Sequence, residues 1–430
     1  MDRRVTGCSK LRGEIIPPGD KSISHRALIL NSVVKGRAKI DNLAPGEDVA
    51  ATIACLRALG VEIVEQGGVV NVMGVGRGGF KEPADVLYAR NSGTTTRLMC
   101  GLLSAQPFLS IITGDASLRS RPMGRVIQPL RLMGAQIWGR GNDSLAPLVI
   151  KGGRLSGIEY KLPVASAQIK SAVLIAALFA QGNTVVIEPA PSRDHTERLM
   201  RNMGVKLRKK GPRIEIAPAE IPSPLDVRVP GDISAAAFWL VAGAIHPDAR
   251  IKMLNTGVNA TRVGIIQVLQ KMGARLSVEW PRSESGEPVA DLVIESSELT
   301  GMQIGGDLIP KIIDELPLVA LAGALARGTT AIVDARELRV KESDRIAATV
   351  KELSRFGVDI EELPDGMVIR GGRPLKGTQC SSHGDHRLAM MLGIAALVAQ
   401  GETVIGDAEA VDVSYPTFWK DLERLSSEGN

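Results

Sequence analysis

The feature of this sequence that most restricts its fold is an internal repeat that occurs six times. Each copy contains an Ala- and Leu-rich helical run, a Gly or Pro that stops the helix, and an alternating or β-branched strand. The stops are Gly36, Pro107, Gly182, Pro247, Gly328 and Gly401, so successive copies lie 71, 75, 65, 81 and 73 residues apart by subtraction. Solenoid repeats are only about 20–50 residues long. Six larger units therefore predict two domains of three units, each closed around its own core.

A second set of glycines marks the end of another helix in five of the six repeats. They are Gly60, Gly134, Gly204, Gly273 and Gly357. Glycine is the residue expected in the left-handed cap that follows a helix. The sixth copy lacks its last strand, and we expect the N-terminal segment KLRGEIIPPG to supply it. The predicted division is a discontinuous domain, residues 1–18 plus 231–430, and a second domain, residues 19–230, with a hinge near 18 and 230.

The composition is that of an ordinary globular protein, with 44% hydrophobic and 23% charged residues. A net charge of +5 over 430 residues is too small to predict a nucleic-acid-binding surface. The four cysteines form no CxxC pair, the longest apolar runs are about ten residues, and the first residues lack a signal-peptide core. We therefore expect a soluble, cytoplasmic monomer with neither a membrane nor a nucleic-acid partner.

Cations and hydroxyl groups recur where apolar helices are predicted to begin. In PGDKSISHRALIL, Lys21, Ser22 and Arg26 lie at such a start, beside backbone N–H groups and the positive end of the helix dipole. The related positions in later repeats include Gly93, Thr94, Arg97, Arg119, Arg121, Arg125, Ser166, Gln168, Lys170, Ser192, Arg193, Lys341, Arg345 and Arg387. One such start alone is typical of a solvated helix end, with Ser22 as a simple N-cap. Their recurrence predicts one site for several phosphate or carboxylate groups.

Other kinds of site are weakly supported. A Walker A loop is excluded because Asp20 separates Gly19 from Lys21. The HGDH segment at 383–386 has too few additional ligands to predict a metal site, and no cysteine lies in the charged segments. Asp314 and Glu342 are the acids placed among the cations, so they are the candidates for proton transfer.

Six ordered motifs resemble those of the 5-enolpyruvylshikimate-3-phosphate synthase family of enolpyruvyl transferases. They are PGDKSISHRALIL, NSGTTTRL, RPMGRVIQPLRLMGA, VASAQIKSA, LRVKESDRI and GDHRLAM. The resemblance implies a mixed α/β fold of two domains, each with three βαβαββ-type units, that close on their substrates. It implies transfer of the enolpyruvyl group of phosphoenolpyruvate to the 5-hydroxyl of shikimate 3-phosphate, with release of phosphate. It implies no metal and no organic cofactor.

The resemblance also implies roles for individual residues. The catalytic residues are Lys21, Asp314 and Glu342, with Asp314 taking the proton of the 5-hydroxyl and with Glu342 and Lys21 as an acid–base pair. The residues implied for shikimate 3-phosphate are Lys21, Ser22, Arg26, Ser166, Ala167, Gln168, Ser192, Arg193, Asp314 and Lys341. Those implied for phosphoenolpyruvate are Lys21, Gly93, Thr94, Arg121, Gln168, Lys341, Glu342, Arg345 and Arg387. Members of the family bind glyphosate in competition with phosphoenolpyruvate, and the absence of a side chain at Gly93 predicts sensitivity.

Two positions depart from the family pattern, and two other functions stay open. Ala167 replaces a serine found in many relatives, and Val413 stands where some have a lysine that contacts phosphoenolpyruvate. One alternative is a UDP-N-acetylglucosamine enolpyruvyl transferase, although that family has Lys-Asn in place of Lys21-Ser22 and a reactive cysteine loop. The other is a non-catalytic repeat protein that binds phosphate or nucleic acid. That alternative explains the cations but does not require Asp314 and Glu342.

Overall fold

The computed structural model describes residues 1–427, and the last three residues of the predicted domain 231–430 lie outside that range. The strands in chain order are β1 (Arg3–Thr6), β2 (Leu11–Ile15), β3 (Lys35–Asp41), β4 (Glu62–Gln66), β5 (Val69–Val75), β6 (Leu87–Tyr88), β7 (Leu109–Thr113), β8 (Gln136–Gly139), β9 (Leu145–Lys151), β10 (Glu159–Lys161), β11 (Thr184–Ile187), β12 (Leu207–Lys210), β13 (Arg213–Ile216), β14 (Val227–Arg228), β15 (Ala249–Gly257), β16 (Arg275–Glu284), β17 (Glu287–Glu295), β18 (Gln303–Ile304), β19 (Thr329–Ile332), β20 (Asp359–Leu363), β21 (Gly366–Arg370), β22 (Gln379–Ser381) and β23 (Glu402–Gly406).

The α-helices are α1 (Lys21–Ser32), α2 (Glu47–Ala58), α3 (Gly93–Leu103), α4 (Ala116–Ser120), α5 (Gly124–Leu132), α6 (Arg140–Asp143), α7 (Ala167–Ala177), α8 (His195–Asn202), α9 (Ile233–Ile245), α10 (Gly264–Lys271), α11 (Ile309–Ile312), α12 (Leu316–Leu325), α13 (Arg345–Arg355), α14 (His386–Val398) and α15 (Phe418–Ser427). Short 3-10 helices span Gly306–Leu308, Arg336–Val340 and Ala408–Val413.

The chain forms two compact units. Unit 1 consists of Met1–Pro18, Pro230–Ser283 and the chain from Pro288 onward, and unit 2 consists of Gly19–Val229 together with Glu284–Glu287. The division predicted from the sequence did not include this last segment in the second domain. Glu284–Glu287 group with unit 2 through side chains of α8, because Asn202 Nδ2 donates to Ser285 O at 2.8 Å and His195 Nδ1 lies 2.8 Å from Glu287 Oε1.

The repeat is visible as one strand order that recurs in six sheets of the described chain. In unit 2 the orders are β14-β3-β5-β4, β6-β7-β9-β8 and β10-β11-β13-β12. In each of these, a short edge strand is parallel to its neighbour, and the remaining pairs are antiparallel. In unit 1 the orders are β2-β15-β17-β16, β18-β19-β21-β20 and β22-β23-β1. The predicted mixed α/β repeats are therefore present, and the sixth sheet has three strands.

The N-terminal segment serves two sheets, and one sequence-based expectation about it is wrong. KLRGEIIPPG contains β2, which is parallel to β15 in the fourth repeat. The sixth sheet is completed instead by β1, which runs antiparallel to β23 with Arg3 opposite Ile405. Both strands are short and both follow the chain start, so hydrophobic pattern alone does not tell which one pairs with which sheet.

Each unit has its own hydrophobic core around three central helices. These are α1, α3 and α7 in unit 2, and α9, α12 and α14 in unit 1. In α9 (ISAAAFWLVAGAI), twelve of thirteen residues are buried, as expected for a helix that is apolar on every side. The helices between strands end at the predicted glycines, for example Gly60 with a φ of 88° and Gly357 with a φ of 87°. Among residues 1–427, no helix is long and apolar enough to cross a bilayer.

Candidate functional site

The start of α1 has Asp20, and not Ser22, as its N-cap. Asp20 Oδ1 accepts a hydrogen bond from Ile23 N at 2.9 Å, which contradicts the interpretation of Ser22 as a simple cap. Lys21 Nζ forms an ion pair with Asp48 Oδ2 at 2.7 Å. The Arg26 side chain is buried rather than solvated, and its Nη1 donates to Ser22 O at 2.8 Å. The buried Arg26 guanidinium therefore fixes the backbone carbonyl of Ser22, next to Lys21.

The starts of α3 and α7 are joined through Gln168. Gln168 Oε1 accepts from Arg97 Nη1 at 2.7 Å, and Gln168 Nε2 donates to Thr94 Oγ1 at 3.0 Å. Ser166 caps α7, since its Oγ accepts from Ile169 N at 3.4 Å. Arg97 is one of the cations at predicted helix starts, but the family resemblance assigns it no substrate. Its position four residues after Gly93, on the same face of the helix, is the signal that identifies it.

Arg121 lies close to the same helix start. Its Nη1 donates to Asn91 O at 3.1 Å, its Nη2 bonds Asn91 Oδ1, and Nη2 also donates to Ser117 Oγ at 3.1 Å. At Gly93, a Cβ atom would come within 2.7 Å of Arg97 Nη1 and 3.5 Å of Arg121 Nη1. The two guanidinium groups thus face the first residue of α3, and we call Lys21, Arg26, Arg97, Arg121 and Gln168 the cationic cluster.

A buried chain of hydrogen bonds connects the helix starts behind the cationic cluster. His25 Nδ1 lies 2.7 Å from Thr52 Oγ1, Thr52 Oγ1 lies 2.7 Å from Thr95 Oγ1, and Thr95 Oγ1 lies 2.7 Å from Ser92 Oγ. Thr95 Oγ1 also approaches Asp48 O at 3.1 Å. Burial lowers the pKa of His25 to about 3, so this histidine is neutral near pH 7. The chain therefore fixes Asp48, the partner of Lys21, without adding charge.

The remaining predicted residues of unit 2 are Ser192 and Arg193, which follow β11, and Ala167 at the start of α7. Ser192 is buried, and both its N and its Oγ bond Glu188 Oε1. Arg193 is the next residue, and its surroundings are partly open to solvent. Ala167 is the first residue of α7 and brings no hydroxyl to this region, in agreement with the sequence departure noted above.

Unit 1 gathers the other predicted residues around Arg345, which is almost fully buried. Arg345 Nε donates to Asp385 Oδ2 at 2.8 Å, Nη2 to Glu342 Oε2 at 2.6 Å, and Nη1 to Asp314 Oδ1 at 3.4 Å. Lys341 Nζ and Arg387 Nη2 lie 3.5 Å and 3.7 Å from the two oxygens of Asp314. We call Asp314, Lys341, Glu342, Arg345, Asp385 and Arg387 the carboxylate cluster.

Opposite charges keep Arg345 and Asp385 ionised. Burial alone lowers the pKa of Arg345, but the Asp385 and Glu342 carboxylates outweigh it and raise that pKa. Burial raises the pKa of Asp385, but the Arg345 guanidinium outweighs burial and lowers it. Asp385 also caps α14 by accepting from Arg387 N at 2.9 Å. Asp385 was quoted in the GDHRLAM motif without a role, and its place as the N-cap before a buried helix is the signal for it.

Metal and cysteine chemistry gain no candidates from the geometry. His383 Nε2 pairs with Glu352 Oε1 at 2.8 Å, and within the described chain no three His, Cys, Asp or Glu side chains are grouped as a metal site. Cys100 is fully buried in α3, and burial raises the pKa of its thiol to about 12. A thiol in this environment is not the reactive nucleophile of the alternative enolpyruvyl transferase family.

Comparison with known proteins agrees with the ordered motifs. Residues 5–422 match the model of the family EPSP synthase (3-phosphoshikimate 1-carboxyvinyltransferase). The chain belongs to this family. The resemblance stated from the six motifs, and with it the predicted two-domain fold class, is confirmed.

Two relatives and one solved structure illustrate the similarity to the EPSP synthase family. The chain is 53% identical over 429 residues to the 3-phosphoshikimate 1-carboxyvinyltransferase of Desulforudis audaxviator strain MP104C, covering 100% of both chains. It is 51% identical over 428 residues to the protein of that name from Herpetosiphon aurantiacus, covering 99% of each. The EPSP synthase structure from Acinetobacter baumannii superposes with a TM-score of 0.88 at 42% identity, covering 99% of this chain and 98% of the other.

Proposed function

We propose that this chain is a 3-phosphoshikimate 1-carboxyvinyltransferase. It transfers the enolpyruvyl group of phosphoenolpyruvate to the 5-hydroxyl of shikimate 3-phosphate and releases phosphate. The observation that supports this most is the 53% identity over the whole chain to a relative of that name. The two clusters fit the chemistry, because cations bind phosphate and carboxylate groups while ionisable acids exchange protons.

We assign the anionic groups of shikimate 3-phosphate to residues near α1, α7 and the segment after β11. The hydroxyls of Ser22 and Ser166 and the cations Lys21, Arg26 and Arg193 supply donors of the kind that phosphate oxygens accept. Ser192 Oγ donates to Glu188 Oε1, so we assign Ser192 to this group through its backbone, which fixes where Arg193 begins. The other assigned residues are Ala167, Gln168, Asp314 and Lys341. Among them, the Asp314 carboxylate accepts hydrogen bonds, so it suits a hydroxyl group of the shikimate ring better than the anionic phosphate group.

Phosphoenolpyruvate has a phosphate and a carboxylate, so it needs several cations. We assign it to Lys21, Gly93, Thr94, Arg121, Gln168, Lys341, Glu342, Arg345 and Arg387. Backbone N–H groups at the start of α3 add donors at Gly93 and Thr94. Arg345 is held between carboxylates with its guanidinium in one orientation, which favours a fixed geometry for an incoming anion.

The proposed reaction is an addition followed by an elimination. Asp314 accepts the proton of the 5-hydroxyl of shikimate 3-phosphate while the hydroxyl oxygen forms a bond to C2 of phosphoenolpyruvate. Glu342 and Lys21 act as the acid–base pair that protonates C3. The tetrahedral intermediate then loses the C2–O bond to phosphate as a proton leaves C3. Lys and Arg side chains stabilise the departing phosphate. The atoms balance without a cofactor, because the proton gained at C3 is lost again in the second half and the 5-hydroxyl proton taken by Asp314 passes to the released phosphate.

A phosphate-release assay tests the function directly. Phosphoenolpyruvate is supplied with shikimate 3-phosphate in one arm and with UDP-N-acetylglucosamine in the other. We expect phosphate release, and formation of 5-enolpyruvylshikimate 3-phosphate by mass spectrometry, only in the first arm. Release only with the nucleotide sugar would favour the other enolpyruvyl transferase family, and release in neither arm would favour a binding protein without catalysis.

We also propose a cytoplasmic monomer. Each unit closes its own hydrophobic core within one chain, and Cys8, Cys55, Cys100 and Cys380 are free thiols, as is usual in a reducing compartment. Light scattering after size-exclusion chromatography should give a mass near 45.7 kDa. A mass of twice that value would contradict the monomer.

A further inference from the structure

A buried ion cluster in unit 2 lies directly beside the residues assigned to shikimate 3-phosphate. Lys170 Nζ, on α7, is 3.0 Å from Glu188 Oε1 and 2.7 Å from Glu197 Oε1. The Lys170 and Glu197 side chains are 0% exposed and the Glu188 side chain is 1% exposed. We call these three residues the Lys170 cluster. None of them is in the cationic cluster or among the assigned substrate contacts.

Glu188 connects the Lys170 cluster to Ser192. Glu188 Oε1 accepts from Ser192 N at 3.2 Å and from Ser192 Oγ, while Lys170 Nζ lies 3.4 Å from Ser192 O. The backbone donor, the backbone acceptor and the hydroxyl of Ser192 are therefore all held by one ion pair. Because Arg193 follows directly, the same contacts limit where its side chain can begin.

Glu197 connects the Lys170 cluster to Arg26. Glu197 follows Thr196, whose Oγ1 accepts from Arg26 Nε at 2.7 Å, and Lys170 precedes Ser171, whose Oγ accepts from Arg26 Nη2 at 2.8 Å. The two hydroxyls lie 2.7 Å apart. The Lys170–Glu197 ion pair thus joins α7 to α8 next to the two hydroxyls, one on each helix, that accept hydrogen bonds from Arg26.

Burying three ionised groups is costly, and an apolar replacement of a buried ion pair is often as stable or more stable. Stability alone is therefore a weak reason for this cluster. The geometry gives a stronger reason. Glu188 contacts Ser192 directly, and Lys170 and Glu197 are next in sequence to the two residues whose hydroxyls accept hydrogen bonds from Arg26. Without the ammonium, two carboxylates would share one apolar region, and mutual repulsion would displace Glu188 from Ser192.

We propose that Lys170, through Glu188 and Glu197, is a positioning residue for shikimate 3-phosphate. It keeps the Glu188 carboxylate in place, which orients Ser192 and Arg193, and it keeps α8 in place, which orients Arg26. It touches neither substrate and takes no part in proton transfer. This inference rests on the proposed function and on the assignment of Ser192, Arg193 and Arg26 to shikimate 3-phosphate.

The test compares Michaelis constants for the two substrates in Lys170→Met. We expect the KM for shikimate 3-phosphate to rise about tenfold and the KM for phosphoenolpyruvate to stay within about twofold, as for a lost charge-assisted hydrogen-bond network. Glu188→Gln keeps an oxygen for Ser192 and should raise the first KM less than Glu188→Leu does. If Lys170→Met folds poorly, Lys170→Met with Glu197→Gln removes one carboxylate as well and permits the same measurement.

Lys209→Met is the matched control. Lys209 Nζ lies 3.7 Å from Glu188 Oε2, but its side chain is 29% exposed, so both KM values should stay at wild-type levels. Equal increases in both KM values, or a lower melting temperature with an unchanged KM for shikimate 3-phosphate, would reduce the cluster to a structural role and overturn the inference. An inactive wild-type enzyme would overturn the proposed function itself, which separates the two failures.

Discussion

The cationic cluster of unit 2 and the carboxylate cluster of unit 1 both lie at helix starts, but they surround their arginines differently. Arg97 donates to the side-chain amide oxygen of Gln168 and the backbone carbonyl of Pro122. Arg121 donates to the backbone carbonyl of Asn91 and the hydroxyl of Ser117. Arg345 bonds three carboxylates. A neutral acceptor orients a guanidinium without cancelling its charge, whereas a carboxylate does both. The same repeat therefore yields one region suited to holding anions and another suited to exchanging protons.

Replacing an acid of the carboxylate cluster should have the largest effect. Glu342→Gln keeps the size of the side chain but removes the proton-transfer group, so kcat should fall by roughly 10²–10⁴-fold with little change in either KM. Steady-state kinetics with both substrates measures this. Glu361→Gln, an exposed partner of Arg370, is the control and should behave as wild type. A wild-type kcat in Glu342→Gln would remove the proposed distinction between the clusters.

Removing a cation of the cationic cluster should alter binding as well as turnover. In Lys21→Met the Asp48 carboxylate loses the ammonium at 2.7 Å, and the substrates lose a cation. We expect kcat/KM to fall by roughly 10²–10³-fold for both substrates, with higher KM values. Lys39→Met changes an exposed residue of β3 and should leave the kinetics unchanged. A pure kcat effect in Lys21→Met would leave Lys21 with a role in proton transfer alone and none in substrate binding.

The two kinds of arginine partner should also differ in their contribution to stability. Asp385→Ala leaves Arg345 buried with one carboxylate fewer, and the free energy of unfolding should fall by about 3–5 kcal/mol. Asn91→Ala removes the neutral side-chain oxygen that accepts from Arg121 Nη2 and should cost about 1 kcal/mol. Urea denaturation of both variants at pH 7 provides the comparison. Equal losses would show that the charge of the partner is not what matters.

The buried histidine of unit 2 should make the free energy of unfolding depend on pH. The pKa of His25 is about 3 in the folded protein against an ordinary value of 6.5, so only the unfolded chain binds this proton between those values. Its contribution to stability is complete above pH 6.5 and falls with acid, by up to about 1.4 kcal/mol per pH unit. Unfolding measured from pH 7 to 4 should therefore be less pH-dependent in His25→Gln. Parallel curves would mean that His25 is protonated in the folded state.

The smallest expected effect concerns the first residue of α3. In Gly93→Ala the new Cβ would lie 2.7 Å from Arg97 Nη1, so the flexible guanidinium must move away from Gln168. We expect a several-fold higher KM for phosphoenolpyruvate, about 1 kcal/mol, and weaker inhibition by glyphosate. Gly78→Ala is the control, because no atom lies within 4 Å of its added Cβ. Equal glyphosate inhibition of wild type and Gly93→Ala would contradict this interpretation.

Local features of this fold could be predicted from the sequence because neighbouring residues determine them. The glycine caps follow from backbone conformation, as at Gly60 and Gly357, and the apolar central helices follow from composition. The helix starts with cations were recognisable because Lys21, Arg97 and Arg387 lie near the starts of the central helices α1, α3 and α14, in phase with the repeat. Six motifs in a fixed order were sufficient to identify the family.

Partners that are distant in sequence could not be predicted in the same way. Asp48 lies 27 residues from Lys21, and Asp385 lies 40 residues from Arg345. Lys170 was noticed as one more cation near a helix start, but only the tertiary structure reveals Glu188 and Glu197 around it. The choice of β1 rather than β2 for the sixth sheet depends likewise on which strand edge is available. Such pairings depend on packing across the unit, which no local pattern encodes.

The strand pairing of the N-terminus has a consequence for the order in which the protein is made. Domains generally fold as units while a chain is synthesised from its N-terminus. Residues 19–229 contain all three sheets of unit 2, since β14 is the last strand that these sheets need. By contrast, β2 pairs with β15 and β1 pairs with β23, a strand that ends at residue 406. We therefore expect unit 2 to fold on the ribosome while the first eighteen residues are still unpaired, because the strands that pair with β1 and β2 are synthesised later.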